Sequence, residues 1–139
     1  HDGYLGNSVI GEWVNLGAAT NCSNLKNTFS PAKVWCYEEG KFINSGETFL
    51  GCCIGDFSKT GISTMINTAS VIGVNVNVFG AGFQKKCIAS FSWGGSDTYT
   101  LTKAWEVNKN IAQMTGEELS DKDYLILQSI YSSKLDFNL

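Results

Sequence analysis

Few side chains of this chain could take part in proton transfer or nucleophilic chemistry. Its 139 residues include one histidine, His1, and five cysteines, which are Cys22, Cys36, Cys52, Cys53 and Cys87. A neutral imidazole suits the role of general base near pH 7, which typically accelerates a reaction by roughly 10²- to 10⁴-fold. A histidine at a chain terminus is, by itself, more often part of a disordered end.

The cysteines favour neither a metal site nor a disulfide framework. Their number is odd, no two of them have the C-x-x-C spacing, and one histidine adds little to a ligand set. This usage is typical of reduced, buried or half-buried thiols in a cytoplasmic protein. We therefore expect a cytoplasmic location and no protein-bound metal.

The charge pattern argues against nucleic acid as a partner, and the hydropathy pattern argues against a membrane. The net charge is -3, and all 10 basic residues are lysines, so no arginine can contact phosphates or bases bidentately. The most apolar stretch, 71–83, is too short to span a bilayer and contains Asn75 and Asn77. Because the chain starts without Met or a recognisable signal peptide, we expect a fragment of a longer protein or a trimmed chain.

A six-residue repeat indicates how the chain is built. Aliphatic or small residues open successive hexads at Ile54, Thr60, Ile66, Ile72 and Val78, and Ile10 and Leu16 keep the same spacing earlier. This period fits neither a helix nor a flat strand. It fits a chain that runs a short strand, turns and repeats, with one side chain per hexad pointing inward. The spacing therefore predicts a hexapeptide β-helix of parallel coils.

The repeat divides the chain into segments. We predict a β-helix over 1–83 with a loop inserted at 22–49, including a short paired strand around Val34 to Tyr37, and then a linker over 84–98. Helical periodicity follows over 99–139, with one apolar face at Leu101, Ala104, Trp105, Ile111 and Ala112, and another at Tyr124, Leu127, Ile130, Tyr131 and Leu135.

Local signals mark the ends of these two helices. Gly116 ends the first, and Ser120 with Asp123 three places later is typical of a helix N-cap. We expect the helix pair to cap the open end of the β-helix, where a cross-section of the core and unpaired strand edges would otherwise be exposed. The alternative is a pair of helices that binds a partner.

Two separated motifs resemble a known family. The first is His1-Asp2-Gly3-Tyr4-Leu5-Gly6 followed by the run at 10–20, and the second is Ile54-Gly55-Asp56 with Thr60-Gly61-Ile62-Ser63. Together they resemble the acetyltransferase domain of bifunctional sugar-1-phosphate nucleotidyltransferases, a family that includes glucosamine-1-phosphate N-acetyltransferases. In that family the first motif reads H-x-x-Y-L/I-G, then I-G-x-x-V-N-I/L-G-A-G-T. The resemblance covers residues 1 to about 83 and implies a left-handed β-helix that assembles as a trimer.

The resemblance also implies residue roles in transfer of an acetyl group from acetyl-CoA to an amino-sugar phosphate. It makes His1 the catalytic base and places Tyr4 and Asn15 against the acceptor sugar, with Lys33 on the sugar phosphate. Residues that would contact acetyl-CoA are Ala18, Asn24, Asp56, Lys85 and Lys86. The active site then lies between subunits of a homotrimer, and a nucleotidyltransferase domain precedes the β-helix.

Each of these residues also has a purely structural interpretation. Tyr4 could fill a corner of a coil, Asn15 could satisfy turn backbone, and the three lysines could be solvated surface charges. Two residues depart from the family pattern. Ala19 replaces a glycine, and Asp56 stands where a serine is common and would repel the charges of the coenzyme.

Two hypotheses for function follow. The first is an acetyl-CoA-dependent sugar-phosphate acetyltransferase. The second is a non-catalytic β-helical scaffold that trimerises a sugar nucleotidyltransferase, which the substitutions at Ala19 and Asp56 favour. A third class, metal-dependent β-helix enzymes such as γ-type carbonic anhydrases, requires several histidines and is nearly excluded by the single one here.

Overall fold

A computed structural model describes residues 1–133 as short β-strands followed by two α-helices. The strands are β1 Val9–Ile10, β2 Asn15–Leu16, β3 Asn21–Cys22, β4 Lys33–Cys36, β5 Lys41–Asn44, β6 Cys53–Ile54, β7 Lys59–Thr60, β8 Met65–Ile66, β9 Val71–Ile72, β10 Asn77–Val78, β11 Cys87–Ile88, β12 Ser92–Trp93 and β13 Asp97–Thr98. The helices are α1 Leu101–Met114 and α2 Asp121–Ser133.

The strands form the three faces of a parallel β-helix, as the hexad spacing predicts. Sheet I has the order β1-β6-β9-β11, sheet II has the order β13-β12-β10-β7-β2, and sheet III pairs β3 with β8. All neighbours within these sheets are parallel except β12 and β13. Ile54 pairs with Ile72, so one coil takes 18 residues, or three hexads. The predicted β-helix is confirmed.

The residues that open the hexads form the core of the β-helix. Ile66 and Ile72 are almost fully buried, together with Ile54, Val78 and Ile88 from neighbouring coils. Hydroxyl groups four places after several openers satisfy turn carbonyls, as when Ser58 Oγ donates to Gly73 O and Thr64 Oγ1 donates to Gly61 O, both at 2.7 Å. At these turns the carbonyl groups are bonded within the stack, so short strands can pack tightly without leaving them unpaired.

The turns share one backbone feature, a left-handed residue three places after the hexad opener. Positive φ angles near 55° occur at Trp13, Ala19, Phe57, Ser63, Ala69, Asn75 and Phe91. Such angles strain residues that carry a Cβ, and they are the usual property of the third residue of a type II turn. The positive φ at position 19 therefore explains why the family motif has glycine there.

Replacing Ala19 with glycine is expected to stabilise the chain by about 0.5–1 kcal/mol, because glycine adopts φ 59° without the Cβ clash. Urea unfolding measures the change. Ala18→Gly is the matched control, since Ala18 does not have a positive φ and glycine there only adds unfolded-state entropy. A loss of stability in Ala19→Gly as large as in the control would contradict the strain argument.

The segment inserted after β3 folds as a hairpin. β4 and β5 pair antiparallel from Lys33↔Asn44 to Cys36↔Lys41, in agreement with the paired strand expected around Val34 to Tyr37. If the coil of β1 to β3 is counted as the first, the fourth carries β11 and β12. The hairpin folds back onto the start of this fourth coil, where the Lys86 ammonium donates to Lys33 O at 2.6 Å and lies 5.7 Å from the centre of the Phe42 ring. The insertion is therefore an ordered arm against the β-helix.

The segment at 84–98, which the sequence suggests is a linker, instead continues the β-helix. Within it, β11 pairs with β9 in sheet I and β12 pairs with β10 in sheet II. β13 then turns back antiparallel to β12 and forms the edge of sheet II. The hexad spacing is lost here because the Gly80 to Gln84 turn changes the distance between openers, although the coil geometry persists.

The two helices lie along the side of the β-helix, which differs from the expected cap across its open end. They pack on the turns between sheets I and II, here called the aromatic corner, which carries Trp13, Phe57, Asn75 and Phe91 in successive coils. The Trp13 indole N–H donates to Thr115 Oγ1 at 3.2 Å, so α1 extends from the fourth coil back to the first. The helices bury large aromatic side chains at this corner that would otherwise be exposed to solvent.

The signals at the helix ends act as expected. Gly116, at φ 80°, and the bond from Glu117 N to Ala112 O end α1, and the Asp123 carboxylate accepts hydrogen bonds from Ser120 N and Oγ at the start of α2. These bonds lower the pKa of Asp123. Leu135, the last residue of the predicted second apolar face, lies outside the described residues. Neither α1 nor α2 has the length and apolar character that a membrane crossing demands.

Candidate functional site

A cleft at the first coil brings together residues that the sequence singles out. It has a volume of about 500 Å³ and is lined by residues 1–5, 15–18 and Thr20. His1, Tyr4, Asn15 and Ala18 all lie in it, although they come from two different hexads and the segment before them. One imidazole, one phenol and one amide side chain therefore share a single concave surface, the kind of place where small ligands bind.

The N-terminal segment reaches this cleft by adding a partial coil above β3. Ala19 N donates to Asp2 O at 2.5 Å, Tyr4 N donates to Thr20 O at 3.1 Å, and Cys22 N donates to Tyr4 O at 2.8 Å. Tyr4 forms a parallel bridge with Asn21. These bonds hold the main chain that follows His1 above the turn at 17–20, which keeps His1 at this edge of the β-helix.

The turn at 17–20 offers a free backbone donor inside the cleft. Gly17 N and Thr20 N donate to Thr60 O and Gly17 O, and Ala18 O accepts from Ser63 N. Within residues 1–133, no protein acceptor is bonded to the N–H of Ala18. An unbonded N–H that lines a cleft beside an imidazole is suited to stabilise negative charge on an oxygen that forms during a reaction.

Asn24 orients the Tyr4 hydroxyl. The Asn24 amide nitrogen donates to Tyr4 Oη at 3.0 Å and to Asn7 Oδ1 at 2.8 Å. Because both amide protons are used in this way, the Tyr4 hydroxyl is an acceptor toward Asn24 and keeps its own proton for a ligand. Asn24 Oδ1 also remains as an acceptor. Tyr4, which lines the cleft, therefore offers a donor to a ligand, and the neighbouring Asn24 offers an acceptor.

Five residues expected at the site do not line this cleft: Asn24, which contacts Tyr4 from outside it, and Lys33, Asp56, Lys85 and Lys86, which lie elsewhere. Asp56 lies next to the aromatic corner, where its carboxylate accepts a hydrogen bond from Glu12 N at 2.8 Å and braces two coils. Lys33 lies on the hairpin, at the fourth coil. Lys85 and Lys86 line a separate depression of about 550 Å³ that Phe42 also borders. Burial, with a smaller contribution from the charge of Lys26, lowers the pKa of Lys86.

Two residues next to those of the site are not among the residues that the motifs predict. Asn7, which fixes the Asn24 amide, carries no motif of its own. Lys59 pairs in register with Asn15 on the outer side of sheet II, and its ammonium donates to Phe57 O at 2.7 Å. Burial lowers the pKa of Lys59. Its place in the second family block, directly before Thr60-Gly61, is a signal that could have drawn attention to it.

The cysteine and carboxylate residues do not gather into a metal site. Within residues 1–133, no group of three or more His, Cys, Asp or Glu side chains is placed to hold an ion. All five cysteines are free thiols.

Comparison with known proteins gives one informative likeness. No family model matches the chain. A bifunctional sugar-1-phosphate nucleotidylyltransferase/acetyltransferase of Sulfurisphaera tokodaii is 39% identical over 79 residues, which are 57% of this chain and 19% of that protein. The matched region thus spans about a fifth of the relative's length. With the parallel β-helix, this likeness confirms the resemblance seen in the two sequence motifs.

Proposed function

We propose that this chain, a hexapeptide-repeat domain related to bifunctional sugar-1-phosphate nucleotidylyltransferase/acetyltransferases, transfers an acetyl group from acetyl-CoA to an amino-sugar phosphate. The observation that carries the proposal is the cleft, where His1, Tyr4, Asn15 and the free N–H of Ala18 meet. A base, polar groups for a sugar and a donor for an oxyanion are the parts that this reaction requires.

In the proposed reaction the sugar amine attacks the carbonyl carbon of the thioester. The His1 imidazole takes the proton of the amine as the C–N bond forms, and the Ala18 N–H donates to the carbonyl oxygen as it becomes negative. The tetrahedral intermediate collapses by breaking the C–S bond, and the proton held by His1 leaves with the sulfur as the CoA thiol. Tyr4 and Asn15 hold the sugar so that its nitrogen faces the imidazole.

The proposal extends to assembly. Lys33, Asp56, Lys85 and Lys86 lie away from the cleft of their own chain, so their proposed contacts with sugar phosphate and coenzyme require a neighbouring copy. A homotrimer would place these residues of one chain near the cleft of the next. The proposal also includes an N-terminal nucleotidyltransferase domain, since the relative's name states both activities.

A scaffold without transfer activity is the second candidate function. It is favoured by Asp56, whose negative charge is held in place by Glu12 N beside the surface where a coenzyme is expected. A carboxylate in that position repels phosphates and a thioester oxyanion. In this case the β-helix serves to assemble a nucleotidyltransferase, and the cleft at His1 remains unused.

Titration with acetyl-CoA separates the two functions. A ligand present at 100 times its dissociation constant stabilises a protein by about 2.7 kcal/mol, which raises Tm by several degrees for a chain of this size. We expect acetyl-CoA to give the full rise in Tm and a calorimetric binding signal. Desulfo-CoA, which lacks both the sulfur atom and the acetyl group, should give a smaller rise. Absence of binding at millimolar acetyl-CoA would exclude the acetyltransferase and leave the scaffold.

Replacing Asn24 with aspartate is expected to weaken acceptor binding about tenfold. The carboxylate cannot donate to Tyr4 Oη or Asn7 Oδ1 and would instead accept the hydroxyl proton of Tyr4, so that this proton is no longer offered to the sugar, at a cost of about 1–2 kcal/mol. The measurement is KM for glucosamine-1-phosphate together with kcat. The control is Asn27→Asp in the same exposed segment, and equal KM values for the two variants would contradict the proposed network.

A further inference from the structure

Two buried cysteines meet at the base of the inserted hairpin segment. Cys22 is the last residue of β3, before the insertion, and Cys52 directly precedes β6, after it. Both side chains are only 1% exposed. The two cysteines therefore lie at the two ends of the inserted segment, which also contains Asn24, the residue that contacts Tyr4.

Both sulfur atoms contact the same hydroxyl oxygen. Cys52 Sγ lies 3.6 Å from Ser8 Oγ, and Cys22 Sγ lies 4.0 Å from the same oxygen. Both residues also belong to the same buried cluster in the core of the β-helix. Cys22 is held by the pairing of β3 with β8, and Cys52 lies directly before β6, which pairs with β1, so strands of the β-helix position both residues.

The environment makes the two thiols unequal. The neighbouring Cys52 side chain lowers the pKa of Cys22, against the opposing effect of burial. The same interaction and burial raise the pKa of Cys52. Since the thiolate is the reactive form of cysteine, Cys22 is the nucleophile of the pair and Cys52 is the neighbouring thiol that can resolve an oxidised Cys22.

We propose that Cys22 and Cys52 are a redox-active pair that a hydroperoxide converts into a disulfide across the base of the insertion. The Cys22 thiolate attacks one peroxide oxygen, so that the O–O bond breaks, hydroxide leaves and a sulfenic acid forms. The Cys52 sulfur then attacks the Cys22 sulfur, and water leaves with the thiol proton. Two thiols and one hydrogen peroxide give one disulfide and two waters, with sulfur oxidised and peroxide reduced.

The neighbouring cysteine provides an internal control. Cys53 follows Cys52 directly, but successive side chains of a strand point to opposite sides, and Cys53 faces outward on sheet I. It is therefore more accessible to oxidant, although it has no second thiol beside it in the core. A disulfide from Cys22 to Cys52, and not to Cys53, would therefore reflect the positions of the two buried cysteines and not the solvent exposure of a thiol.

The test treats the reduced protein with one equivalent of hydrogen peroxide, blocks remaining thiols after unfolding, and maps linked peptides by mass spectrometry. We expect a monomer two mass units lighter, with three alkylated thiols in place of the five of the reduced chain and a Cys22–Cys52 link. Closing this segment should raise Tm by about 5–15 °C, and dithiothreitol should reverse the rise.

Variants distinguish the pair from other oxidation products. Cys53→Ser should keep the link and the rise in Tm, whereas Cys52→Ser should abolish both and leave Cys22 as a sulfenic acid that dimedone traps. Should Cys52→Ser fold poorly, the peptide map of the unmodified chain decides alone. Recovery of five alkylated thiols, a link through Cys53, or a dimer joined by a disulfide would each overturn the proposal.

Discussion

Replacing His1 with alanine is expected to lower kcat for CoA release from acetyl-CoA and glucosamine-1-phosphate at least a hundredfold. General base catalysis by a well-placed imidazole is worth roughly 10²- to 10⁴-fold, and residues 1–133 contain no second histidine that could replace it. KM for the sugar phosphate should change little, because Tyr4 and Asn15 remain in the cleft. Free thiol released per second, followed with a chromogenic disulfide, is the measurement.

Asp2→Ala is the matched control for the loss of His1. Asp2 is the next residue and lines the same cleft, but its backbone oxygen, and not its side chain, accepts the bond from Ala19 N. This variant should keep most of the activity. A His1→Ala protein that retains full kcat would show that the imidazole takes no proton, and the acetyltransferase proposal would then lose its base.

The hexad spacing was sufficient to predict the β-helix because each inward position is repeated many times. A single aliphatic opener such as Ile54 means little, but the same spacing at Ile66 and Ile72 specifies which side of every strand is buried, and the structure buries all three. Local signals such as Gly116 and Ser120 succeeded for a similar reason, since backbone geometry over four residues decides them.

The location of the helices could not be predicted in this way. The apolar faces of α1 and α2 show that the helices need a partner surface, but they do not say which one. The relevant signal lies in Trp13, Phe57 and Phe91, which are large aromatic residues at left-handed turn positions of the same corner. Their vertical alignment depends on the number of residues in each coil, and the insertion at 22–49 hides that alignment in the sequence.

The cleft shows the same division between local and long-range information. The family resemblance places Tyr4 and Asn15 against the same sugar, and both line the cleft. The sequence gives no indication that Asn24 reaches Tyr4 Oη, because that contact depends on how the insertion leaves β3. Lys33 is a similar case. The hairpin carries it to the fourth coil, where a resemblance in sequence alone cannot place it.

The packing of α1 on the aromatic corner indicates that substitutions at this corner lower the stability of the fold. Its buried residues, Ala104, Asn108 and Ala112, recur every four positions and form one narrow stripe. Four residues of helix rise about 6 Å, close to the roughly 4.8 Å between coils, so the stripe meets successive turns of the corner. Small alanines face the side where Phe57 and Phe91 are large, which lets the helix approach closely.

Replacing Phe91 with alanine is therefore expected to destabilise the chain by about 3–5 kcal/mol and to lower Tm by about 10 °C. Phe91 is 1% exposed, and its ring meets Tyr131 of α2 edge-on at 5.0 Å, so its loss opens a cavity between β-helix and helices. The left-handed turn itself is kept, because alanine tolerates the same φ as at positions 19 and 69. Urea unfolding and calorimetry give the two numbers.

Phe83→Ala separates cavity formation from the simple loss of an aromatic ring. Phe83 is 59% exposed on the side of sheet III, far from the helices, and its removal should change stability by no more than about 0.5 kcal/mol. Hydrogen exchange adds a second readout, since Phe91→Ala should speed exchange in α1 and α2 more than in β6 and β9. Equal destabilisation by the two variants would mean that the helices contribute little to the stability of the β-helix. A large and selective effect of Phe91→Ala would instead show that the coils and the helices depend on a shared core.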